Sequence, residues 1–436
     1  MMTDLLSRIE GRDAHVCVIG LGYVGLPLAV AFAEAGFRVT GFDVDTRKTD
    51  SINAGVSYIP DIETQRMKAQ VDNGRLDATS DPAVLATVDT AHICVPTPLG
   101  KTREPDISYV VAAGDEVAKY LHAGMLVVLE STTYPGTTEE ILAPRLAAGG
   151  LTLGDDYHLA FSPERIDPGN VEFTLENTPK IMGGMTPQCT EIATALYGAI
   201  VGEVYEVSSP AAAELVKLLE NTFRSVNIGL ANEMALMCDR MGIDTWEVIR
   251  AAATKPFGFM PFFPGPGLGG HCIPVDPHYL TWKARTLNYQ ARLIEVAAEI
   301  NAGMPAHVVN KVVTALNDHE KSVRGSRILM IGVAYKRDVD DTRESPSIDI
   351  MRALQDRGAH VDYADPFVPH LTVGHGLIAD LDAVEGLPGI CAEYDCTVVG
   401  TDHSDIDWEG VLAAAPIVVD TRNVANGRSA PNIVRI

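Results

Sequence analysis

The sequence lacks the features that mark membrane, secreted and nucleic-acid-binding proteins. No apolar run approaches the roughly 20 residues that a membrane span needs, and residues 1–13 lack the apolar core of a signal peptide. We therefore expect a cytoplasmic protein with no membrane partner. The 58 acidic residues outnumber the 34 basic ones, and the net charge of −24 excludes nucleic acid as the expected partner because it repels a phosphate backbone.

Cysteine is scarce and irregularly spaced. The 436-residue chain has seven cysteines, an odd number with no CxxC pair and no His/Cys cluster at metal spacing. This pattern argues against a disulfide framework and against a structural metal, and it leaves at least one thiol reduced. The length predicts two or three domains, each with its own core.

A glycine motif near the N-terminus predicts a dinucleotide site. Residues 15–19 read as a buried strand, the sequence Gly-Leu-Gly-Tyr-Val-Gly follows at 20–25, and an apolar helical run comes next. The three glycines would provide a tight turn, backbone access to a pyrophosphate and close packing of helix on strand. A second strand ends at Asp43, where a carboxylate would bind an adenine ribose and repel a 2′-phosphate, so we predict NAD rather than NADP.

Further strands with polar turns follow. Residues 90–95, 126–130 and 158–161 have strand patterns, and each is followed by a turn rich in proline or hydroxyl residues. In an open parallel sheet ligands lie beyond the carboxyl ends of the strands, so we expect these turns beside the glycine motif. A second α/β unit begins at 327–332 and has no GxGxxG motif, which favours a ligand other than a second dinucleotide.

Residues 210–242 between these two units have a helical pattern that is much longer than the usual ~11 residues. A helix of this length often connects domains and packs against its twin in a dimer. It carries Lys217 and Asn221 four residues apart, hence on one face. A lysine among apolar neighbours can move protons, and an asparagine can donate to an oxygen that gains charge. The alternative interpretation is an exposed polar stripe.

Residues 265–276 form a loop of four glycines, two prolines and one thiol, Cys272. Such a loop is usually kept for close approach of backbone to a ligand. Together with NAD, Lys217 and Asn221, the thiolate could attack an aldehyde product, and loss of a second hydride would give a thioester that water hydrolyses. The alternative is a tight turn around a buried, inert cysteine.

Seven motifs stand in order along the chain, at 20–25, 95–98, 130–136, 162–165, 214–221, 269–276 and 341–345. Through them the sequence resembles the nucleotide-sugar dehydrogenases, the UDP-glucose/GDP-mannose dehydrogenase family, over nearly its whole length. The resemblance implies a four-electron oxidation of a sugar C6 alcohol with two NAD and a covalent thioester. It also implies two Rossmann-like doubly wound parallel-sheet domains, one for NAD (1–208) and one for the UDP-sugar (323–436), joined by a central helical dimerisation domain (209–322).

The same resemblance implies roles for individual residues. Cys272 would be the nucleophile, Lys217 and Asn221 would stabilise the oxyanion, and Asp276 would position the catalytic water. Thr132 and Glu164 match residues of water activation or acid/base work, with the division of roles left open. The implied cofactor-binding residues are Gly20, Gly22, Tyr23, Val24, Gly25, Asp43, Lys48, Thr97, Thr132 and Arg343, and the implied substrate-binding residues are Glu164, Arg165, Lys217, Asn221, Gly269, Lys336 and Arg422.

Departures from the family pattern bear on the sugar. Residues 271–276 read His-Cys-Ile-Pro-Val-Asp, where UDP-glucose members tend to carry Ser-Cys-Phe-Pro-Lys-Asp. This variant, with 254–259 and 276–282, is most similar to the UDP-N-acetylglucosamine 6-dehydrogenases; UDP-glucose and UDP-N-acetylmannosamine remain alternative substrates.

Among the implied cofactor-binding residues, Lys48 stands where the family usually has an arginine. More distant alternatives are a two-electron β-hydroxyacid dehydrogenase, which needs no thiol, and a non-catalytic NAD-binding scaffold.

Overall fold

The computed structural model of the protein describes residues 2–59, 62–100, 104–166, 172–270, 272–372 and 380–436. His271 of the thiol motif lies outside the described residues. The chain forms two compact units, one of Met1–Glu220 with His278–Tyr289 and the other of Asn221–Pro277 with Gln290–Ile436. The domain boundaries that we predict at 208/209 and 322/323 stay a prediction.

The first unit is built on a single sheet. Its strands are β1 (His15–Ile19), β2 (Arg38–Phe42), β3 (Leu76–Thr79), β4 (Thr90–Ile93), β5 (Leu126–Leu129), β6 (His158–Phe161), β7 (Lys180–Gly184) and β8 (Val204–Glu206). Their order is β3-β2-β1-β4-β5-β6-β7-β8, and all neighbours are parallel except β6 and β7. The central strands are buried along their whole length, as expected for a parallel sheet covered on both faces.

Helices cover this sheet. They are α1 (Met2–Glu10), α2 (Gly25–Glu34), α3 (Thr46–Asn53), α4 (Thr64–Asp72), α5 (Ser108–Tyr120), α6 (Ala143–Ala147) and α7 (Pro187–Tyr197). The alternation of β1 shows the two covered faces, because Val16 and Val18 enter one hydrophobic cluster while Cys17 and Ile19 enter another.

The register of the sheet brings the polar turns together. Ile19 pairs with Ile93, Ile93 with Leu129, and Leu129 with Phe161. Strands β1, β4, β5 and β6 therefore end level with one another, and the turns that follow them begin along one edge. The expectation that these turns lie beside the glycine motif is confirmed.

Four helices separate the two sheets in sequence. They are α8 (Pro210–Met241), α9 (Thr245–Ala253), α10 (Asp276–Thr286) and α11 (Arg292–Asp318). The long helix predicted over 210–242 is thus confirmed. In the second unit α8 and α11 cross closely at Gly229, where an added side-chain carbon would come within 3.0 Å of the Ala297 methyl carbon.

The second unit carries a smaller parallel sheet, as the sequence predicts. Its elements are β9 (Arg327–Ile331), α12 (Pro346–Asp356), β10 (His360–Ala364), β11 (His370–Leu371), β12 (Leu381–Asp382), β13 (Cys396–Val399), α13 (Trp408–Ala414), β14 (Val418–Asp420) and β15 (Ile433–Arg435). Five strands form the sheet in the order β10-β9-β13-β14-β15, and β11 pairs with β12 in a separate two-stranded sheet. Ile328 and Met330 face one hydrophobic cluster, and Leu329 and Ile331 face the other.

Candidate active site

The three glycines of the first turn differ in their surroundings. Gly20 has a φ of 91°, and a side-chain carbon there would lie 2.7 Å from the carbonyl oxygen of Cys94. A side-chain carbon at Gly25 would lie 1.9 Å from the carbonyl oxygen of Gly20, whereas one at Gly22 would meet nothing within 4 Å. Gly20 makes the tight turn, Gly25 lets α2 pack on β1, and Gly22 leaves room above the N-terminus of α2. This arrangement fits a dinucleotide pyrophosphate.

Asp43 holds this turn in place from the end of β2. Its buried carboxylate accepts hydrogen bonds from the backbone N–H of Leu21 (2.8 Å) and from the Lys48 ammonium (2.9 Å). The Tyr58 hydroxyl donates to the Leu21 carbonyl from the other side (2.6 Å). The structure thus brings together two residues that the sequence predicts for the adenosine end, Asp43 and Lys48.

The turn that carries Thr132 is anchored to the first turns of α8. The buried Glu214 carboxylate accepts from the backbone N–H groups of Gly136 (2.5 Å) and Thr138 (2.9 Å) and from the Thr138 hydroxyl (2.7 Å). Burial raises the pKa of Glu214, and these donors favour its charged form. Glu214 therefore links the start of the long helix to the Thr132 turn.

Part of α10 completes the same unit. The Tyr279 hydroxyl donates to the carbonyl of Thr97 (2.5 Å), and the Trp282 ring lies 4.8 Å from the Tyr134 ring between centroids. Residues His278–Tyr289 consequently belong to the first unit although they follow the thiol loop in sequence. Thr97, a predicted cofactor contact, is buried beside this helix.

Glu164 is surrounded by donors. One carboxylate oxygen accepts from the backbone N–H groups of Arg165 (2.8 Å) and Ile166 (2.7 Å). The other accepts from the ammonium of Lys180 (3.2 Å), which also donates to Glu130 (2.8 Å). Sequence reasoning missed Lys180; the signal for it was a charged residue in the strand pattern at 180–184, which is otherwise without charge.

Lys217 lies in the same unit and is only 8% exposed, so the alternative of an exposed polar stripe is wrong for this residue. Burial acts against the charge of Glu164, but the positive charges of Lys180 and Lys217, with the backbone donors, outweigh burial and hold the pKa of Glu164 below its ordinary value. Glu164 is therefore a carboxylate at neutral pH. The Arg165 guanidinium is paired with Glu220 (2.6 Å).

The thiol loop belongs to the second unit. Cys272 is exposed while the other six cysteines are buried, so the alternative that this cysteine is buried is wrong. Its carbonyl accepts from the backbone N–H of Asp276 (2.8 Å), and the Asp276 carboxylate accepts from the Asn221 amide. The structure thus brings together three predicted catalytic residues, Cys272, Asn221 and Asp276.

The glycines of this loop allow other segments of the chain to pack closely against it. Side-chain carbons at Gly269 and Gly270 would lie 2.6 and 2.8 Å from atoms of Tyr335. One at Gly265 would lie 3.0 Å from the guanidinium of Arg422. These contacts seat the thiol loop on the turns after β9 and β14. The expectation that the glycines also admit a ligand stays a prediction.

The basic residues of the second unit that the sequence predicts for cofactor and substrate binding are in these turns. Lys336 is half-buried in the turn after β9. Arg343 follows in the same segment, is paired with Asp341 (2.7 Å), and its carbonyl accepts from the N–H of Gly270 (3.0 Å). Arg422 donates to the carbonyl of Gly400 (2.9 Å).

Two buried asparagines, which sequence reasoning missed, fix the start of the thiol loop. The Asn232 side chain accepts from the N–H of Gly265 (3.0 Å) and donates to the Asn301 side-chain oxygen (2.8 Å). Asn301 in turn donates to the carbonyl of Ser225 (3.0 Å). The only signal in the sequence was an asparagine within each apolar helical run. These bonds tie the loop to α8 and α11.

In the second sheet Asp365 occupies the position that Asp43 has in the first sheet, but its partners differ. Asp365 follows β10 and accepts from the N–H groups of Val333 (2.7 Å) and Ala334 (3.1 Å), as Asp43 does for Leu21. Its carboxylate is also hydrogen-bonded to the buried His403 ring (3.1 Å). His403 thus binds the carboxylate that would contact a ribose in a dinucleotide site. This agrees with the prediction that the second α/β unit binds something other than a dinucleotide in the standard way.

No helix among the described residues is both long and apolar enough to cross a membrane.

Comparison with known proteins shows the family. The chain matches three domains of the UDP-glucose/GDP-mannose dehydrogenase family: the NAD binding domain at 14–201, the central domain at 211–303 and the UDP binding domain at 329–427. It is 38% identical over 405 residues to the UDP-N-acetyl-D-glucosamine 6-dehydrogenase of Pseudomonas aeruginosa, which covers 92% of this chain and 90% of that protein.

Two further comparisons agree with this family. An NDP-N-acetyl-D-galactosaminuronic acid dehydrogenase of Ralstonia nicotianae is 37% identical over 425 residues, 94% of this chain and 96% of its own. The solved UDP-D-ManNAc dehydrogenase of Pyrococcus horikoshii superposes with a TM-score of 0.87 at 34% identity, over 97% of this chain and 99% of the other. The predictions of the fold class and of NAD are confirmed. The chain belongs to the UDP-glucose/GDP-mannose dehydrogenase family and is an NAD-dependent nucleotide-sugar dehydrogenase.

Proposed function

We propose that the protein oxidises the C6 alcohol of UDP-N-acetylglucosamine to the carboxylate, in two hydride transfers that consume one water. The observation that carries the proposal is the exposed Cys272 held beside Asp276 and Asn221. The relative named for this sugar and the sequence at 271–276 support the choice of substrate. A relative and a solved structure named for other N-acetylhexosamines make UDP-N-acetylmannosamine the second candidate.

We propose three functional domains, 1–208 for NAD, 209–322 for assembly and 323–436 for the UDP-sugar. The three family matches, which begin and end inside these ranges, support the division. The open space at Gly22 would take the pyrophosphate of NAD, and Asp43 the adenine ribose. Lys336 and Arg422 would supply positive charge to the diphosphate of the UDP-sugar on a chain of net charge −24.

NAD, when bound, accepts the hydride in each oxidation. In the first oxidation the alcohol loses its hydroxyl proton to solvent and a hydride, and becomes an aldehyde. Lys217 and Asn221 stabilise the negative charge on its oxygen. The Cys272 thiolate then forms a bond to the aldehyde carbon, and loss of the second hydride leaves a thioester. Asp276 positions the water that attacks this thioester, Glu164 takes its proton, and the carbon–sulfur bond breaks to release the acid and the thiolate.

The experiment that tests this function is a count of NADH formed per sugar consumed. We expect two NADH per UDP-N-acetylglucosamine, and a higher kcat/KM for it than for UDP-glucose, UDP-N-acetylmannosamine or UDP-N-acetylgalactosamine. One NADH per sugar would identify a two-electron dehydrogenase and reject the thioester. A higher kcat/KM for another of the four sugars would reassign the substrate and leave the chemistry in place.

We also propose that the protein is a homodimer assembled through α8. Phe223, Leu230 and Met237 recur at intervals of seven on this helix and are between 47% and 58% exposed. Leu293 and Val296 of α11 are exposed as well. Exposed apolar residues in such a row indicate an interface between proteins.

Sedimentation equilibrium checks the dimer. We expect a particle of twice 46.8 kDa, and we expect Leu230→Asp to sediment as the monomer because it places a charge in the apolar row. The control is Tyr205→Asp, which replaces an equally exposed apolar residue on β8 and should remain dimeric. A monomeric wild-type protein would contradict the proposal.

A further inference from the structure

Three ionisable side chains are buried together at the carboxyl edge of the first sheet. The Lys180 and Glu130 side chains are 3% and 0% exposed, and that of Glu164 is 14% exposed. Removing a charge from water costs several kcal/mol per ion, which an excellent geometry is needed to offset. The reaction described above uses Glu164 and assigns no role to Lys180 or Glu130.

The hydrogen bonds of this cluster fix where its protons are. The Lys180 ammonium donates to Glu130 and to Glu164, and the Tyr197 hydroxyl donates to the other oxygen of Glu130. Since its proton is used there, the Tyr197 oxygen accepts from Nδ1 of His92 (2.8 Å).

The chain continues one step beyond His92. With the proton on Nδ1, the Nε2 atom of His92 accepts from the Thr90 hydroxyl (3.1 Å). Burial lowers the pKa of His92 to about 3, with a contribution from the Lys180 charge, so this ring is neutral. Each hydrogen bond from Thr90 through His92 and Tyr197 to Glu130 therefore has a defined donor and a defined acceptor.

The two carboxylates of the cluster, Glu130 and Glu164, stabilise the charged state of Lys180. Burial acts against the ammonium, but Glu130 and Glu164 outweigh it and raise its pKa. The charged groups that face Glu164 are Lys180 from β7, Lys217 from α8 and Glu130 from the end of β5. The Cys94 thiol after β4 and the Tyr197 hydroxyl also lie near Glu164, and burial raises the pKa of both groups, so they stay neutral.

We propose that Lys180 is a positioning residue that keeps Glu164 ionised and oriented for proton transfer, and that Glu130 with Tyr197 and His92 holds Lys180 in place. Two backbone N–H groups fix one oxygen of Glu164 and Lys180 fixes the other, so the carboxylate has a single orientation. The second lone pair of the oxygen bound to Lys180 is the acceptor position for the proton. The inference rests on the proposed function, because it concerns the base of that reaction.

The test is the pH profile of kcat for NADH formation. Activity that needs the Glu164 carboxylate is lost as pH falls through the pKa of Glu164. Lys180→Met removes a positive charge and should move this acidic limb to higher pH by roughly one unit or more. Lys180→Arg keeps the charge and should restore the limb to its wild-type position. Glu130→Gln removes a negative charge and should move the limb the other way.

A purely structural role for Lys180 would lower kcat at every pH without moving the limb, and that result would overturn the inference. The matched control is Lys119→Met, which breaks an exposed ion pair with Glu116 on α5 and should leave the profile unchanged. If Lys180→Met does not fold, Glu130→Gln tests the proposal by itself. An acidic limb that stays in place or moves to higher pH in Glu130→Gln would contradict the proposal. If the wild-type protein oxidises none of the UDP-sugars, the proposed function fails instead.

Discussion

Cys272→Ser is expected to lose oxidation to the acid while it still binds NAD. A serine hydroxyl is not ionised at neutral pH, so no covalent adduct forms with the aldehyde and the second hydride cannot leave. Removing a nucleophile that works with other groups costs about 10^4- to 10^6-fold in kcat. The measurement is the rate at which the uronic acid forms from UDP-N-acetylglucosamine, alongside NAD binding by titration calorimetry. The glycine turn and Asp43, which would bind NAD, are unchanged in this variant.

The control for this variant is a cysteine of the same unit. Cys238 is buried in α8, and Cys238→Ala should keep wild-type turnover. An alkylating reagent should modify Cys272 before the other six cysteines because they are buried, and bound UDP-sugar should slow the reaction. The covalent role would be rejected if Cys272→Ser formed the uronic acid at even a tenth of the wild-type rate.

Gly25→Ala is expected to destabilise the first unit and to abolish NAD binding with it. The added carbon would lie 1.9 Å from the carbonyl oxygen of Gly20 and 3.2 Å from the side chain of Cys94. The Gly20 backbone could move away from the added carbon only if the whole turn shifted, and Asp43 holds this turn through its hydrogen bond with Leu21. We expect a loss of about 3 kcal/mol in the free energy of unfolding, the upper part of the range for overpacking, measured by urea denaturation.

Gly22→Ala is expected to weaken NAD binding while leaving the stability of the fold nearly unchanged. An added carbon there would meet nothing within 4 Å, so the free energy of unfolding should change by less than about 1 kcal/mol. NAD affinity should still fall, because the methyl group would occupy the space proposed for the pyrophosphate. If Gly22→Ala binds NAD as tightly as the wild-type protein, that position is wrong; if Gly25→Ala unfolds like the wild-type protein, the packing role of Gly25 is wrong.

Local patterns in the sequence are sufficient to predict the main helices and strands and the family. Strand β1 was predicted at 15–19 and is His15–Ile19, and the helix predicted over 210–242 is Pro210–Met241. These predictions hold because apolar periodicity, glycine and proline act over a few residues and leave a local pattern. The motif around Cys272 predicts the thiol chemistry that we propose for the same reason, since its residues are neighbours in the chain.

Which side chains are buried and which ones meet follows from the tertiary structure. Lys217 is removed from water, Asn221 bonds Asp276 across 55 positions, and Lys180 lies between two carboxylates from the turns after two other strands. Such contacts join residues far apart in sequence, and their strength depends on desolvation, which no local pattern records. The protonation state of Glu164, and with it the proposed role of Lys180, follows from the folded chain alone.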